Sequence, residues 1–296
     1  MPGLLPINIG ERARMIILTI VIPAYNEERR LPLFLSSLIL FLNAVPDLTY
    51  EILVVNDGSF DKTGDVARET IGQRGRVIDL NKNRGKGAAI KEGARHAKGL
   101  FTCVTDADGS ANLDAFLEAV SVLKYSRCLG VVGTRYLSDQ RAHQRMSKKR
   151  RFAGIFFASL TRIILGLRYS DTQCGFKIFH TKFLNDILAM CQYTRFGIDF
   201  ELLYIAKKNG IAFIELPIRW SEKPGSKVNI FSDGFQMILD MIRLKFREDH
   251  QLSFQIQSVD AGFIDFSMTE SAEPNTDIYE KRDQQNRYST APKKLG

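Results

Sequence analysis

Ile16-Ile17-Leu18-Thr19-Ile20-Val21-Ile22 runs straight into Pro23-Ala24-Tyr25-Asn26-Glu27, a β-branched stretch that ends in a polar turn. Further short runs of this kind follow at Glu51–Val55, Arg76–Leu80, Phe101–Thr105 and Leu129–Gly133. Helical patterns lie between them at about Arg30–Leu42, Lys62–Ile71, Gly87–Lys98 and Leu113–Lys124, with Asn112 in the N-cap position of the last. Such alternation is the signature of βαβ units, so it predicts an α/β fold with a Rossmann-like, mostly parallel sheet flanked by helices. Ligand groups then belong at the C-terminal ends of the strands.

Beyond Arg135 the pattern changes. A basic stretch, Ser147–Arg151, opens an apolar helical segment, and a short Asp171–Phe179 segment follows. Helices are predicted near Lys182–Met190 and Phe200–Lys208, a strand at Ile211–Arg219, and a last amphipathic helix at Phe231–Phe246. These divide the chain into a first half of about 15–135, a second of about 136–247, and a polar tail, 248–296. The tail's Asn, Gln, Ser and Pro content predicts disorder, with Ser253–Phe266 open to a weak hairpin.

Charge follows the same division. The net +8 arises from a tail with 9 acidic and 5 basic side chains and a body with 24 acidic and 36 basic ones. A basic body implies polyanionic company: phosphates, nucleic acid or an anionic membrane surface. The longest apolar run, Phe152–Leu167, is 16 residues and contains Arg162, short of the about 20 needed to span a bilayer. No span is predicted, and Met15–Ile22 lacks the cleavage site of a secretory signal. Cys103, Cys128, Cys174 and Cys191 match neither a redox pair nor a zinc knuckle and read as free thiols. His96, His143, His180 and His250 show no ligand spacing, which disfavours zinc.

Chemistry concentrates in the turns. Asn56-Asp57-Gly58-Ser59 repeats at a second strand end what residues 23–27 do at the first, although each alone is also common turn chemistry. Asn83-Arg84-Gly85-Lys86-Gly87 sets glycines and cations at a helix N-terminus suited to an anion, yet neither GxxxxGK[ST] nor GxGxxG is present. Thr105-Asp106-Ala107-Asp108-Gly109 carries two carboxylates at the end of an apolar strand. A hard divalent cation relieves their repulsion, and Mg²⁺ characteristically binds one or two carboxylates together with substrate phosphates. These acids argue against a nucleic-acid-binding module, which has no use for them.

The ordered set of P-A-Y-N-E, N-D-G-S, N-R-G-K-G, D-A-D-G, G-T-R-Y (Gly133–Tyr136), D-T-Q-C-G-F-K (Asp171–Lys177), F-E-L-L-Y (Phe200–Tyr204) and R-W-S-E-K-P-G-S-K (Arg219–Lys227) resembles the family 2 glycosyltransferases. The likeness spans about residues 16–247 and is strongest to the polyprenyl-phosphate branch that glucosylates dolichyl phosphate. It implies a GT-A fold, Mg²⁺ or Mn²⁺, a nucleotide-sugar donor such as UDP-glucose, inversion at the anomeric carbon, and membrane association facing the cytoplasm. By the same resemblance Pro23, Ala24, Tyr25, Glu27, Asp57 and Lys86 surround the nucleoside. Asp106, Ala107 and Asp108 serve the ribose and the metal-bound diphosphate. A dianionic acceptor phosphate needs cations rather than a base, which points to Arg135 and Lys227, with Lys223 and Arg219 in support. Asp171 and Gln173 face the sugar. Mannosyl transfer to the same lipid, or a non-lipid acceptor, are the alternative reactions. The basic patch at 147–151 and the apolar residues after it have the composition of an interfacial segment, as has Phe231–Arg247.

Overall fold

A computed structural model describes residues 15–136, 147–223, 225 and 230–247, with only the backbone at 148–150 and 230–232. The first half alternates as expected: β1 (Leu18–Ala24), α1 (Leu31–Asn43), β2 (Tyr50–Asn56), α2 (Thr63–Ile71), β3 (Gly75–Asp79), α3 (Lys86–His96), β4 (Phe101–Val104), α4 (Asp114–Tyr125) and β5 (Gly130–Thr134). The second half adds α5 (Lys148–Leu165), β6 (Lys177–His180), α6 (Thr181–Met190), α7 (Ile198–Lys208), β7 (Ile214–Pro217) and α8 (Ile230–Phe246). The 248–296 tail and its suggested hairpin lie outside the described residues.

The sheet order is β3-β2-β1-β4-β6-β5-β7. The chain moves outward from β1 through β2 to β3, then returns to β1's other side at β4, all four in parallel. That reversal opens a crevice at the strand ends between β1 and β4. Beyond it β6 runs antiparallel to both β4 and β5, while β7 pairs parallel with β5. A strand of four residues beginning with Lys177 has too few positions to show a period, and for that reason Asp171–Phe179 read only as a segment.

Both sheet faces are covered, so β1 and β2 are apolar on both sides. Leu18, Ile20 and Ile22 join α1 and α4 in one core, whereas Val21, Leu53 and Val55 join α3, α6 and α7 in the other. All four cysteines are free, three of them buried.

One expectation needs correction. Asn112 does not cap α4 with its side chain; Leu113 holds the cap position. The Asn112 Oδ1 atom instead accepts the Arg219 backbone N–H at 3.0 Å, which stitches the chain after β7 to the turn after β4. An isolated Ala111–Trp220 bridge and the Ser221 N–H on the Ser110 carbonyl, 2.9 Å, complete the seam.

Candidate active site

Turns after the first three strands form one unit at the crevice. The β1 end, Pro23-Ala24, leads into Tyr25, whose ring meets Phe60 edge-on at 6.1 Å. The Ala24 carbonyl accepts the Asp57 N–H at 2.9 Å, and Glu27 donates its N–H to Thr63 Oγ1 at 2.7 Å. The Glu27 carboxylate is nearly buried and holds the Arg30 guanidinium, Nε at 2.7 Å. Asp57, also buried, accepts the backbone N–H groups of Arg84 and Gly85 at 2.7 and 2.8 Å. It thereby fastens residues 83–87 to the β2 end. Gly85 has φ +96° and its absent Cβ would lie 2.6 Å from the Thr194 carbonyl oxygen, so only glycine suits this loop.

That loop aims Lys86, the first residue of α3, at the turn after β4. Its Nζ is 2.9 Å from Asp106 Oδ1 and 3.5 Å from Asp199 Oδ2. Burial works against the charge on Lys86, but Asp106 and Asp199 together outweigh it and hold the ammonium protonated well above the ordinary lysine range. Burial likewise opposes the Asp106 carboxylate, and Lys86, with Lys177 and Arg135 further off, overcomes it and lowers that pKa. Asp106 stays half-buried. A Cβ at Gly175 would stand 1.9 Å from Asp106 Oδ2, so the bare glycine backbone is what admits this carboxylate.

Ala107 is buried in the core between the two aspartates. Asp108 Oδ1 takes the Ser110 N–H at 3.0 Å, and its Oδ2 lies 3.7 Å from Arg30 Nη1. Among the described residues no group of three His, Cys, Asp or Glu side chains could hold a metal. Two carboxylates on one turn fit a hard divalent cation that draws its remaining ligands from phosphate oxygens and water.

Arg135, just past β5, points its guanidinium at the buried Asp171: Nε to Oδ2 at 2.6 Å and Nη2 to Oδ1 at 2.9 Å. The rings of Tyr136 and Trp220 lie 5.4 and 5.6 Å from its central carbon. Burial opposes the charge, yet Asp171 more than compensates and raises the arginine pKa. Gln173 donates its N–H to Asp171 Oδ1 at 3.2 Å, while its buried Nε2, like Thr172 Oγ1, has no partner among the described residues. Arg135, expected at the acceptor phosphate, and Asp171 and Gln173, expected at the sugar, are thus brought together in one cluster. Lys227 lies outside the described residues. Arg219 is engaged by Asp114.

A cavity of about 670 Å³ opens beside Asp108, walled by Arg30, Phe34, Ser110, Trp220 and Lys223 among others. Elsewhere on the surface, α5 exposes Phe152, Ile155, Phe156 and Ile163, and α8 exposes Phe235, Ile242 and Phe246. Among the described residues no helix is long and apolar enough to cross a membrane.

Sequence reasoning missed Asp199 and gave Glu201 no role beyond its place in F-E-L-L-Y. Asp199 and Glu201 open α7, and both are buried. Asp199 Oδ1 takes Lys177 Nζ at 2.5 Å, and Glu201 takes Arg247 Nη1 at 2.6 Å. Their signal was two carboxylates within the otherwise apolar run Phe196–Ala206, where unpaired charges do not belong.

Comparison with known proteins adds a kinship. The profile described as "Glycosyl transferase family 2" matches residues 19–188. The chain is 34% identical over 244 residues to the dolichyl-phosphate beta-glucosyltransferase of Dictyostelium discoideum, covering 78% of this chain and 75% of that one. It is 33% identical over 245 residues to the Homo sapiens enzyme of that name, with the same coverage. Among solved structures, glucosyl-3-phosphoglycerate synthase from Mycobacterium tuberculosis with UDP superposes at TM-score 0.59 and 18% identity, covering 79% of this chain and 82% of that one. Mannosyl-3-phosphoglycerate synthase from Rubrobacter xylanophilus gives TM-score 0.57 and 16% identity, covering 78% and 73%. The M. tuberculosis synthase with Mn²⁺, UDP-glucose and glycerol 3-phosphate matches at TM-score 0.54 and 17% identity, covering 77% and 78%. At these identities the structural likeness concerns the fold.

Proposed function

The chain belongs to glycosyl transferase family 2, and from that premise we propose that it moves glucose from UDP-glucose to the phosphate of dolichyl or another polyprenyl phosphate, with inversion. The observation that carries this reading is the Asp106–Asp108 pair at the end of β4, with Asp106 held against Lys86 and Asp108 beside Arg30, next to the turns of residues 23–27 and 56–59. Pro23, Ala24, Tyr25, Glu27 and Asp57 form the nucleoside side, and Asp106, Ala107 and Asp108 the diphosphate side.

A phosphate monoester has a second pKa near 6, so the acceptor arrives largely dianionic and needs no general base. Its oxygen attacks the anomeric carbon as UDP leaves. The protein's work is to bind, orient and offset charge. Asp106 and Asp108 would hold Mg²⁺ or Mn²⁺, which when bound neutralises charge on the departing diphosphate. Lys86 adds a fixed cation beside it. Arg135 spends Nε and Nη2 on Asp171 and turns its Nη1 edge to the acceptor phosphate, with Lys227 and Lys223 joining it. Asp171 holds that fork in place, and Gln173, with Nε2 unspent, offers a hydrogen bond to the sugar.

The acceptor's apolar tail must stay in a bilayer. Exposed phenylalanines on α5 and α8, with Arg151, Arg162, Arg243 and Lys245 around them, suit peripheral contact with an anionic surface. On this reading the enzyme works on the cytoplasmic face of the endoplasmic reticulum in a eukaryotic cell, and on the inner membrane in a bacterium.

Asp108→Asn tests the metal site. Transfer should disappear with the melting temperature kept, and a chelator should stop the unaltered enzyme. Turnover in EDTA, or full activity in the variant, would remove the metal from the mechanism.

A further inference from the structure

We propose that Asp199 is a positioning residue for the donor carboxylate Asp106, acting through Lys86. The inference rests on the reading of Asp106 as a donor-site residue. Four charges of alternating sign stand in a row across the sheet end: Asp106 after β4, Lys86 opening α3, Asp199 in the first turn of α7, and Lys177 opening β6. Successive separations are 2.9, 3.5 and 2.5 Å.

Asp199 and Lys177 are buried, whereas Asp106 is the member half open to a ligand. An ammonium in such a place needs a counter-charge, because a buried ion left alone is costly. With Asp106 as its sole partner, Lys86 would compete with any ligand for that carboxylate. Asp199 removes the competition: Lys86 keeps a second carboxylate when Asp106 turns toward the donor. Lys177 in turn fixes Asp199, and is itself held by the Cys174 carbonyl at 2.5 Å. The backbone keeps α7 in reach, since Ala88 of α3 donates its N–H to the Thr194 carbonyl at 3.0 Å and Glu201 accepts the N–H groups of Gln192 and Tyr193 at 2.8 Å. Nothing in this arrangement requires Asp199 to touch the substrate.

The test is calorimetric titration of UDP-glucose in the presence of Mn²⁺, beside thermal melting, on four proteins: unaltered, Asp199→Asn, Asp199→Asn with Lys177→Met, and Asp106→Asn. The double variant removes one charge of each sign and so keeps the buried site neutral if the single variant fails to fold. Both Asp199 variants should bind about tenfold more weakly, the scale of one lost charge-assisted contact. Steady-state KM for the donor should rise while KM for the acceptor holds. If Asp199 only balances Lys177, the double variant will bind UDP-glucose as tightly as the unaltered protein, and the proposal falls. Undiminished binding by Asp106→Asn would instead sink the reading of Asp106 as a donor-site residue, and the proposal with it.

Discussion

Replacing Gly175 by alanine adds one methyl group and no charge, yet it should disable the enzyme. The new Cβ would meet Asp106 Oδ2 at 1.9 Å and Cγ at 2.3 Å. Carbon and oxygen settle no closer than about 3.3 Å, so the carboxylate must retreat by about 1.4 Å. Lys86 Nζ is 2.9 Å from Asp106 Oδ1, and a retreat of that size cannot leave this pair undisturbed. A misplacement of about 1 Å at a reacting centre can cost on the order of 100-fold in rate. The assay is kcat/KM for transfer from UDP-glucose, with circular dichroism and thermal melting as folding controls. The φ of Gly175 lies outside the left-handed region, so alanine brings no left-handed backbone strain. Activity within a factor of about three of the unaltered enzyme, with the fold intact, would refute the claim that this carboxylate's position matters to the chemistry.

Arg135→Ala should lower stability by about 3–5 kcal/mol, because it strands the buried Asp171. Adding Asp171→Asn should restore the melting temperature but not transfer; recovery of both would make Arg135 structural only. Arg135→Lys should keep part of the activity, since it retains charge but loses the fork. Arg247→Met should cost about 3 kcal/mol, the low end for breaking a buried pair, because two backbone N–H groups still serve Glu201. A melting temperature lowered by less than about 3 °C would show that α8 does not depend on this pair. Changing Phe152, Phe235 and Phe246 together to serine should weaken binding to anionic vesicles by more than about 100-fold, at roughly 1.5–3 kcal/mol per buried phenylalanine. Unchanged vesicle binding would dismiss α5 and α8 as the membrane face.

Strands β1 to β5 and the helices between them were legible because each repeats a strong local pattern: a β-branched run, a polar turn, then apolar residues at helical spacing. The site's outline was legible for a related reason, since the turns at 23–27, 56–59, 83–87 and 105–109 all fall at strand ends. Pairing across the sheet was hidden. Nothing local says that Lys177 begins an antiparallel strand between β4 and β5, nor that Arg135 faces Asp171, 36 residues later. Asn112 misled because a good N-cap residue found a better use in holding Arg219. Asp199 stayed invisible because its partners, Lys86 and Lys177, come from α3 and β6, and only the folded sheet end brings them together.

The most direct test of the central claim is a donor panel. Purified enzyme with Mn²⁺ is given dolichyl phosphate in vesicles and, separately, UDP-glucose, UDP-galactose or GDP-mannose, with lipid-linked hexose as the readout. A β-linked glucosyl phosphodiester is expected from UDP-glucose, and none when Asp108 is changed to asparagine. Mannosyl lipid from GDP-mannose alone would contradict the donor assignment, and sugar transfer to water or a soluble phosphate with no lipid product would contradict the acceptor.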